Sequence, residues 1–152
     1  GHLNKINVKK GKSYFNPAGT IHAIGKGNLI CEVQQNSNST YRVHDYNRRD
    51  KYGNLRRLDI NKALDVMDLH KYEGTDVSEC KYFECKMLEY EGGVDIEVTE
   101  ESFVALMVLE GKGTISYEEE MLGFVKGDCI FIPKRNAKMH LFGQASIMTV
   151  RI

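Results

Sequence analysis

Apolar and polar residues alternate along three short segments in the first third of the chain. The segments are residues 3–8, 28–35 and 40–46. Successive side chains of a β-strand point to opposite faces, so this alternation predicts strands with one buried face. In the second segment Glu32 and Gln34 would share a face with Ile30. Polar groups on an inward face are expected where a barrel lines a site.

The pattern then changes from strand-like to helical. Asp59 is suited to the N-cap position, and residues 60–67 predict a short helix with Ala63, Leu64 and Met67 packed inward. A charged loop, residues 47–54, precedes this helix. A polar connection, residues 68–78, follows it.

The second half of the chain reads as short strands separated by glycines. Turns are predicted at Gly92-Gly93, Glu110-Gly111, Lys126-Gly127 and Gly143. They separate eight strands, residues 83–90, 94–98, 102–109, 113–117, 122–124, 129–132, 138–142 and 146–151. This regular spacing predicts a small antiparallel barrel or jelly roll.

Residues 11–22, Gly-Lys-Ser-Tyr-Phe-Asn-Pro-Ala-Gly-Thr-Ile-His, predict a strand, a tight turn and a second strand. Pro17 fixes its own φ, and Gly19 permits a φ that other residues avoid. The turn would therefore hold His22 in one direction. On the inner wall of a barrel, a neutral imidazole is a common metal ligand.

The spacing G-x5-P-x-G-x2-H resembles the second motif of the cupin superfamily, although Lys26 stands where that motif usually has Asn. The core Glu-x-Gln-Gln-x-Ser-x-x-Thr-Tyr-Arg, residues 32–42, is similar to type I mannose-6-phosphate isomerases, nearest to their short bacterial form. Residues 53–66 look like the helix that follows the barrel in that family. The resemblance covers nearly the whole chain.

The resemblance implies a mainly β fold, a cupin-like antiparallel jelly-roll barrel with one short helix, preceded by the remainder of a first cupin barrel. The expected division is 1–50 for that remainder, 51–78 for loop, helix and connection, and 79–152 for the second barrel. The second barrel repeats G-x5-P from Gly127 to Pro133 but has Arg135 and Lys138 in place of Gly19 and His22. We expect it to bind no metal; His140 is a weaker alternative ligand.

The resemblance also implies the chemistry, an interconversion of mannose 6-phosphate and fructose 6-phosphate with zinc. His22 would be a zinc ligand. Arg42 would stabilise the negative charge of a cis-enediol, and Glu32 would bind sugar hydroxyls or shuttle protons. Each residue also has a purely structural interpretation. His22 could be a hydrogen-bonded strand histidine, Glu32 a surface glutamate, and Arg42 the ion-pair partner of Asp45 or another acid. His44 and Gln34 are possible lining residues.

The family's other metal ligands lie upstream, in a Gln-x-His pair and a glutamate, and neither His-x-His nor Gln-x-His occurs here. The chain also begins without Met. We therefore expect an incomplete C-terminal piece that is inactive alone. The competing hypothesis is a non-catalytic cupin-like module that binds sugars or regulates.

The composition limits the classes of binding partner to be expected. There are 21 basic and 21 acidic residues, so nothing points to nucleic acid or an anionic membrane. A basic cluster in residues 48–57 could meet a phosphate, but Asp45, Asp50 and Asp59 are interleaved with it, which favours a solvated loop. The partner expected is a sugar phosphate, with a possible homodimer through exposed sheet edges. Scattered thiols indicate a reduced, cytoplasmic protein, at Cys31, Cys80, Cys85 and Cys129.

Overall fold

The computed structural model describes residues 3–70 and 79–152. The chain divides into two compact units, Gly1–Asp76 and Val77–Ile152. Within the described residues it is mainly β, with one short helix and one antiparallel sheet. The fold class predicted from the sequence is confirmed. The division into 1–50, 51–78 and 79–152 stays a prediction, and its connection lies outside the described residues after His70.

The first unit carries little regular structure. Helix α1 spans Ile60–Val66, and one isolated bridge pairs Arg49 with Leu55. The strands predicted at 3–8, 28–35 and 40–46 are wrong, because no ladder forms there within residues 3–70. Alternation favours an extended backbone, but a strand also needs a partner for its N–H and C=O groups. Leu29 is 95 % exposed, so its segment buries no face.

Two local predictions for the first unit hold. The amide of Thr20 donates to the carbonyl oxygen of Pro17 over 3.1 Å, and Gly19 has φ +89°, so the tight turn ahead of His22 is present. Helix α1 also begins directly after Asp59, whose carbonyl accepts the amide of Ala63 at 2.9 Å.

Two details of the helix were predicted wrongly. The carboxylate of Asp59 makes no capping hydrogen bond and lies instead 3.6 Å from Nε of Arg57. Ala63 is buried and Met67 half-buried, but Leu64 is 61 % exposed. A helix of seven residues has room for only a narrow buried stripe, and Ala63 occupies it.

The second unit is one antiparallel sheet. Its strands are β1 (Glu79–Cys80), β2 (Phe83–Val98), β3 (Val104–Tyr117), β4 (Glu120–Val125), β5 (Cys129–Ile132) and β6 (Ala137–Arg151). The order is β1-β2-β6-β3-β4, and β5 pairs with β3. Inward side chains of β2, β3 and β6 form the core; the most deeply buried are Leu106, Leu141, Ile147, Val98 and Val104.

Six of the eight predicted short strands merge into three long ones, because three of the predicted turns are wrong. Gly92 and Gly113 both lie opposite Gly143 in the register, within continuous strands. A Cβ on Gly143 would lie 2.5 Å from the carbonyl oxygen of Lys112. Gly113 and Gly143 allow close approach of neighbouring backbones, and none of the three glycines reverses the chain. The turn at Lys126-Gly127 is confirmed, with Gly127 at φ +96°.

Candidate active site

His22 follows the Pro17–Thr20 turn, and the position of its ring is set locally. Nδ1 lies 2.9 Å from the carbonyl oxygen of Thr20. A carbonyl can only accept, so Nδ1 is the donor, and in the neutral ring Nε2 carries the free lone pair. Metal-binding histidines commonly have this arrangement, with one ring nitrogen held by a carbonyl and the other turned to the metal. The side chain is exposed, so Nε2 is accessible.

Arg42 lies on the segment that leads to α1, and its backbone is fixed there. Its carbonyl oxygen accepts the amide of Asp59 at 2.8 Å. Its side chain is 24 % exposed, and Nε lies 3.6 Å from Oδ1 of Asp45. The ion pair between Arg42 and Asp45, which is the structural alternative to a catalytic role, is therefore present, and its closest approach is on the Nε side of the guanidinium.

Asp45 is the centre of this part of the site, with a side chain only 5 % exposed. Arg48 donates to its Oδ1 from Nε at 3.1 Å and from Nη2 at 2.5 Å. Nε of Arg56 lies 3.4 Å from its Oδ2. Three arginines therefore converge on one buried carboxylate. Arginine keeps its charge at every working pH, so the cluster has a formal excess of two positive charges.

The backbone turns sharply at the same place. The amide of Arg48 donates to the carbonyl oxygen of Asp45 at 2.9 Å. The two residues between them, Tyr46 and Asn47, have φ of +53° and +55°. Asn tolerates this left-handed conformation, whereas a bulky residue such as Tyr rarely adopts it. Strain of this kind persists where surrounding contacts fix the backbone, and here Arg48 makes both backbone and side-chain bonds to Asp45.

The basic loop after this turn is organised by its acidic residues. Oδ1 of Asp50 accepts the amides of Tyr52 at 2.8 Å and Asn54 at 2.9 Å. The amide of Asn54 is the largest cause of a lowered pKa at the Asp50 carboxyl. Arg49 donates from Nη1 to the carbonyl oxygen of Gly53 at 2.6 Å. Asp50 thus organises the loop that carries Arg49, whereas Arg48 and Arg56 pair with Asp45.

The remaining sequence candidates are exposed. Glu32 and Gln34 lie at the surface of the first unit, and the ring of His44 packs edge-on against Tyr46 at 4.8 Å. No hydrogen bond or ion pair joins His22, Glu32 and Arg42 to one another within residues 3–70. The same described ranges contain no group of three His, Cys, Asp or Glu side chains placed to hold a metal ion. A metal held by His22 would therefore need further ligands from outside the described residues.

In the second unit, the position that repeats His22 belongs to a surface ion pair. Lys138 lies 3.7 Å from Oδ2 of Asp95, whose Oδ1 lies 2.7 Å from Nδ1 of His140. Arg135, which replaces the turn glycine, stacks over the ring of Tyr117 at 4.6 Å. The side chains of Asp95, Lys138 and His140 are all exposed.

Asp45 is the residue that sequence reasoning undervalued. The sequence indicates it only as a possible partner for Arg42 and as one of several acids in a charged loop. The signal was its spacing, with Arg42 three residues before it and Arg48 three residues after it. Spacing alone does not show which of the interleaved acids is buried.

The family model for the mannose-6-phosphate isomerase cupin domain matches residues 73–152. This chain belongs to that family. As a relative of the mannose-6-phosphate isomerases, it is 33% identical to mannose-6-phosphate isomerase ManA of Bacillus subtilis (strain 168), over 94% of this chain and 50% of that protein. It is also 33% identical to the mannose-6-phosphate isomerase of Streptococcus mutans serotype c, over 96% of this chain and 50% of that protein.

The structure agrees with these matches. The crystal structure of the mannose 6-phosphate isomerase from Bacillus subtilis superposes with a TM-score of 0.68 and 26% identity, over 78% of this chain and 42% of that one. The resemblance to the C-terminal portion of a mannose-6-phosphate isomerase is thereby confirmed. The chain spans about half the length of the curated relatives it matches. Among its described residues, no helix combines the length and apolarity needed to cross a membrane.

Proposed function

We propose that this chain contributes the C-terminal portion of an isomerase that interconverts mannose 6-phosphate and fructose 6-phosphate. The observation that carries the proposal is the match to curated mannose-6-phosphate isomerases along 94% to 96% of the chain. His22, Glu32 and Arg42 all lie within the matched part of the sequence. The excess positive charge around Asp45 supports a phosphorylated sugar as the substrate class.

His22 would hold zinc through Nε2, with the remaining ligands supplied from outside this chain. The fit rests on the bond between Nδ1 and Thr20, which fixes both the tautomer and the ring. When bound, zinc would supply Lewis-acid polarisation of the sugar oxygens. The thiols are exposed or half-buried, and none belongs to a metal-binding group within the described residues.

Arg42 would act on the charge that develops during proton transfer between C1 and C2. The enediol oxygens become negative, and a guanidinium can donate to them in a planar fork. Glu32 would take or return a proton, since its exposed carboxylate can reach a solute or an added segment of protein. Because Glu32 is exposed in this chain, its approach to the reacting carbons would depend on the residues that complete the site.

The second candidate function is a sugar-binding or regulatory module without catalysis. It is favoured by one observation, that no hydrogen bond or ion pair joins His22, Glu32 and Arg42 within the described residues. A cytoplasmic location and a homodimer also stay proposals. The edge strand β4 is the place for such pairing, since Met121 is 72 % exposed and Leu122 is 55 % exposed.

A coupled assay for fructose 6-phosphate formed from mannose 6-phosphate, with added zinc, separates the two functions. The assay is run on this chain and on a chimera. The chimera joins the part of Bacillus subtilis ManA that precedes the matched region to the N-terminus of this chain. We expect product from the chimera and little or none from the chain alone. A folded, zinc-loaded chimera that binds mannose 6-phosphate without converting it would contradict the isomerase proposal and favour the binding module.

A further inference from the structure

The guanidinium of Arg42 is held from one side only. Its Nε faces Oδ1 of Asp45 at 3.6 Å. In the part of the chain that the structure describes, Arg42 comes closest to Asp45 through Nε, and its two terminal nitrogens make no hydrogen bond. Arg48 differs, because Nη2 of that side chain is bonded to Asp45. The contact with Asp45 therefore orients Arg42 through Nε and leaves its two terminal nitrogens (the terminal fork) available to a ligand.

Asp45 can serve as this anchor because it is itself fixed. Its side chain is 5 % exposed, and its carboxylate is shared among Arg42, Arg48 and Arg56. Oδ2 has no hydrogen-bond partner among the described residues, although Nε of Arg56 lies at ion-pair distance. The left-handed turn through Tyr46 holds its backbone. Such a buried carboxylate needs its cationic partners, and each partner is oriented by it in return.

We infer that Asp45 is a positioning residue for the proposed isomerase, acting through Arg42, so that the terminal fork of Arg42 faces the reacting sugar oxygens. The inference rests on the proposed function for the role of Arg42 in the reaction. The orientation of Arg42 by Asp45 is a property of this chain that can be measured without activity. The two claims can therefore fail separately.

The first arm of the test measures orientation on this chain by the NMR signals of arginine Nε–H groups. In the unmodified chain, the Arg42 Nε–H is expected to exchange with water more slowly than that of Arg57, whose side chain is 83 % exposed. This comparison needs no variant. Asp45→Asn should speed the exchange of the Arg42 Nε–H and shift its signal. Equal exchange of Arg42 and Arg57 in the unmodified chain, or an Arg42 signal unchanged in a folded Asp45→Asn chain, would overturn the inference.

The matched control is Asp59→Asn. Asp59 lies 3.6 Å from Nε of Arg57, the same separation as between Asp45 and Nε of Arg42. Its backbone bond to Arg42 is kept in the variant. Asp59→Asn should change the Arg57 signal and leave that of Arg42 in place.

The second arm measures kinetics on the chimera. Asp45→Asn should lower kcat about tenfold to a hundredfold with a smaller change in KM, because a misplaced Arg42 loses contacts made at the transition state. In an Arg42→Lys background, the same change should cost little more, since both act through one group. A full additional loss in that background would mean a structural role for Asp45 only, and would overturn the inference. A folded, zinc-loaded chimera that binds mannose 6-phosphate without converting it, in which the Arg42 signal still depends on Asp45, would contradict the isomerase proposal and leave Asp45 as the anchor of Arg42.

Discussion

The backbone amide of Asp68 donates a hydrogen bond of 3.0 Å to the carbonyl oxygen of Gly19. This bond joins the turn ahead of His22 to the segment just after α1. A Cβ on Gly19 would lie 2.7 Å from the carbonyl oxygen of Val66. The end of the helix thus packs so closely on the turn that no side chain fits between them, and the position of His22 depends on that packing.

Gly19→Ala should therefore loosen the turn. The φ of +89° disfavours alanine, and the collision with Val66 adds to the cost. We expect a loss of stability of about 2–3 kcal/mol and faster hydrogen exchange of the Asp68 amide. Gly27→Ala is the matched control, because Gly27 has φ +85° but nothing within 4 Å of an added Cβ. Equal losses in the two variants would mean that the contact with the helix contributes nothing.

The long strands of the second unit depend on glycines at their crossing points. Gly143→Ala would place a Cβ 2.5 Å from the carbonyl oxygen of Lys112 and 2.7 Å from Cα of Gly113. We expect a destabilisation of about 3 kcal/mol in urea unfolding. Gly123→Ala is the control, since the nearest atom to its added Cβ, the carbonyl oxygen of Gly113, would lie 4.0 Å away, and its effect should be small. A tolerated Gly143→Ala would contradict the backbone approach described for β3 and β6.

Tyr90 contributes a buried hydroxyl that has no hydrogen-bond partner within the described residues. Removing such a group relieves a desolvation cost, so Tyr90→Phe should raise stability by about 1 kcal/mol at neutral pH. Burial also raises the pKa of the Tyr90 phenol. The neutral phenol is thus favoured in the fold, and that contribution is lost as the pH rises through the folded pKa.

The phenylalanine variant should consequently lose less stability than the unmodified chain at alkaline pH. Thermal unfolding at neutral and alkaline pH measures both effects. Tyr52→Phe, at a tyrosine that is 76 % exposed, is expected to change neither. A destabilised Tyr90→Phe would show that the hydroxyl has a partner.

The loop at Asp50 should open in acid. The amide of Asn54, and more weakly that of Tyr52, lower the pKa of the Asp50 carboxyl below its ordinary value of 3.8. The contribution of the ionised form is present above that value and is lost as the pH falls through the folded pKa. NMR titration should show the Asn54 amide shifting with a midpoint below 3.8. The shift should vanish in Asp50→Asn, and a midpoint above 3.8 would contradict the hydrogen bonds described.

The sequence predicted best those features that depend on local chemistry. Pro17 fixes its own φ and Gly19 permits the positive φ that the turn requires, so the turn before His22 was predictable from their identity. The Lys126-Gly127 turn was predictable for the same reason, whereas α1 begins after Asp59 without the capping hydrogen bond on which its prediction rested. The turn at Pro17–Thr20 precedes the candidate ligand, and the backbone of Arg42 is bonded to Asp59 at the start of α1.

Features that depend on distant partners were predicted poorly. The alternation around Leu29 could not show that no strand pairs with it in residues 3–70. Gly143 reads as a turn in sequence, and only the register shows that it lies between Gly92 and Gly113 in a continuous sheet. The burial of Asp45 likewise depends on Arg56, eleven residues away, which local spacing does not reveal.

The comparison that tests the account most directly is the effect of His22→Ala and His70→Ala on the chimera, measured as isomerase activity and bound zinc in the same preparation. His70 is an exposed histidine of the same unit, with Nδ1 held by Asp68 at 2.6 Å. We predict that His22→Ala loses both zinc and the conversion of mannose 6-phosphate, while His70→Ala keeps both. Full zinc and full activity in His22→Ala would contradict the proposed metal site.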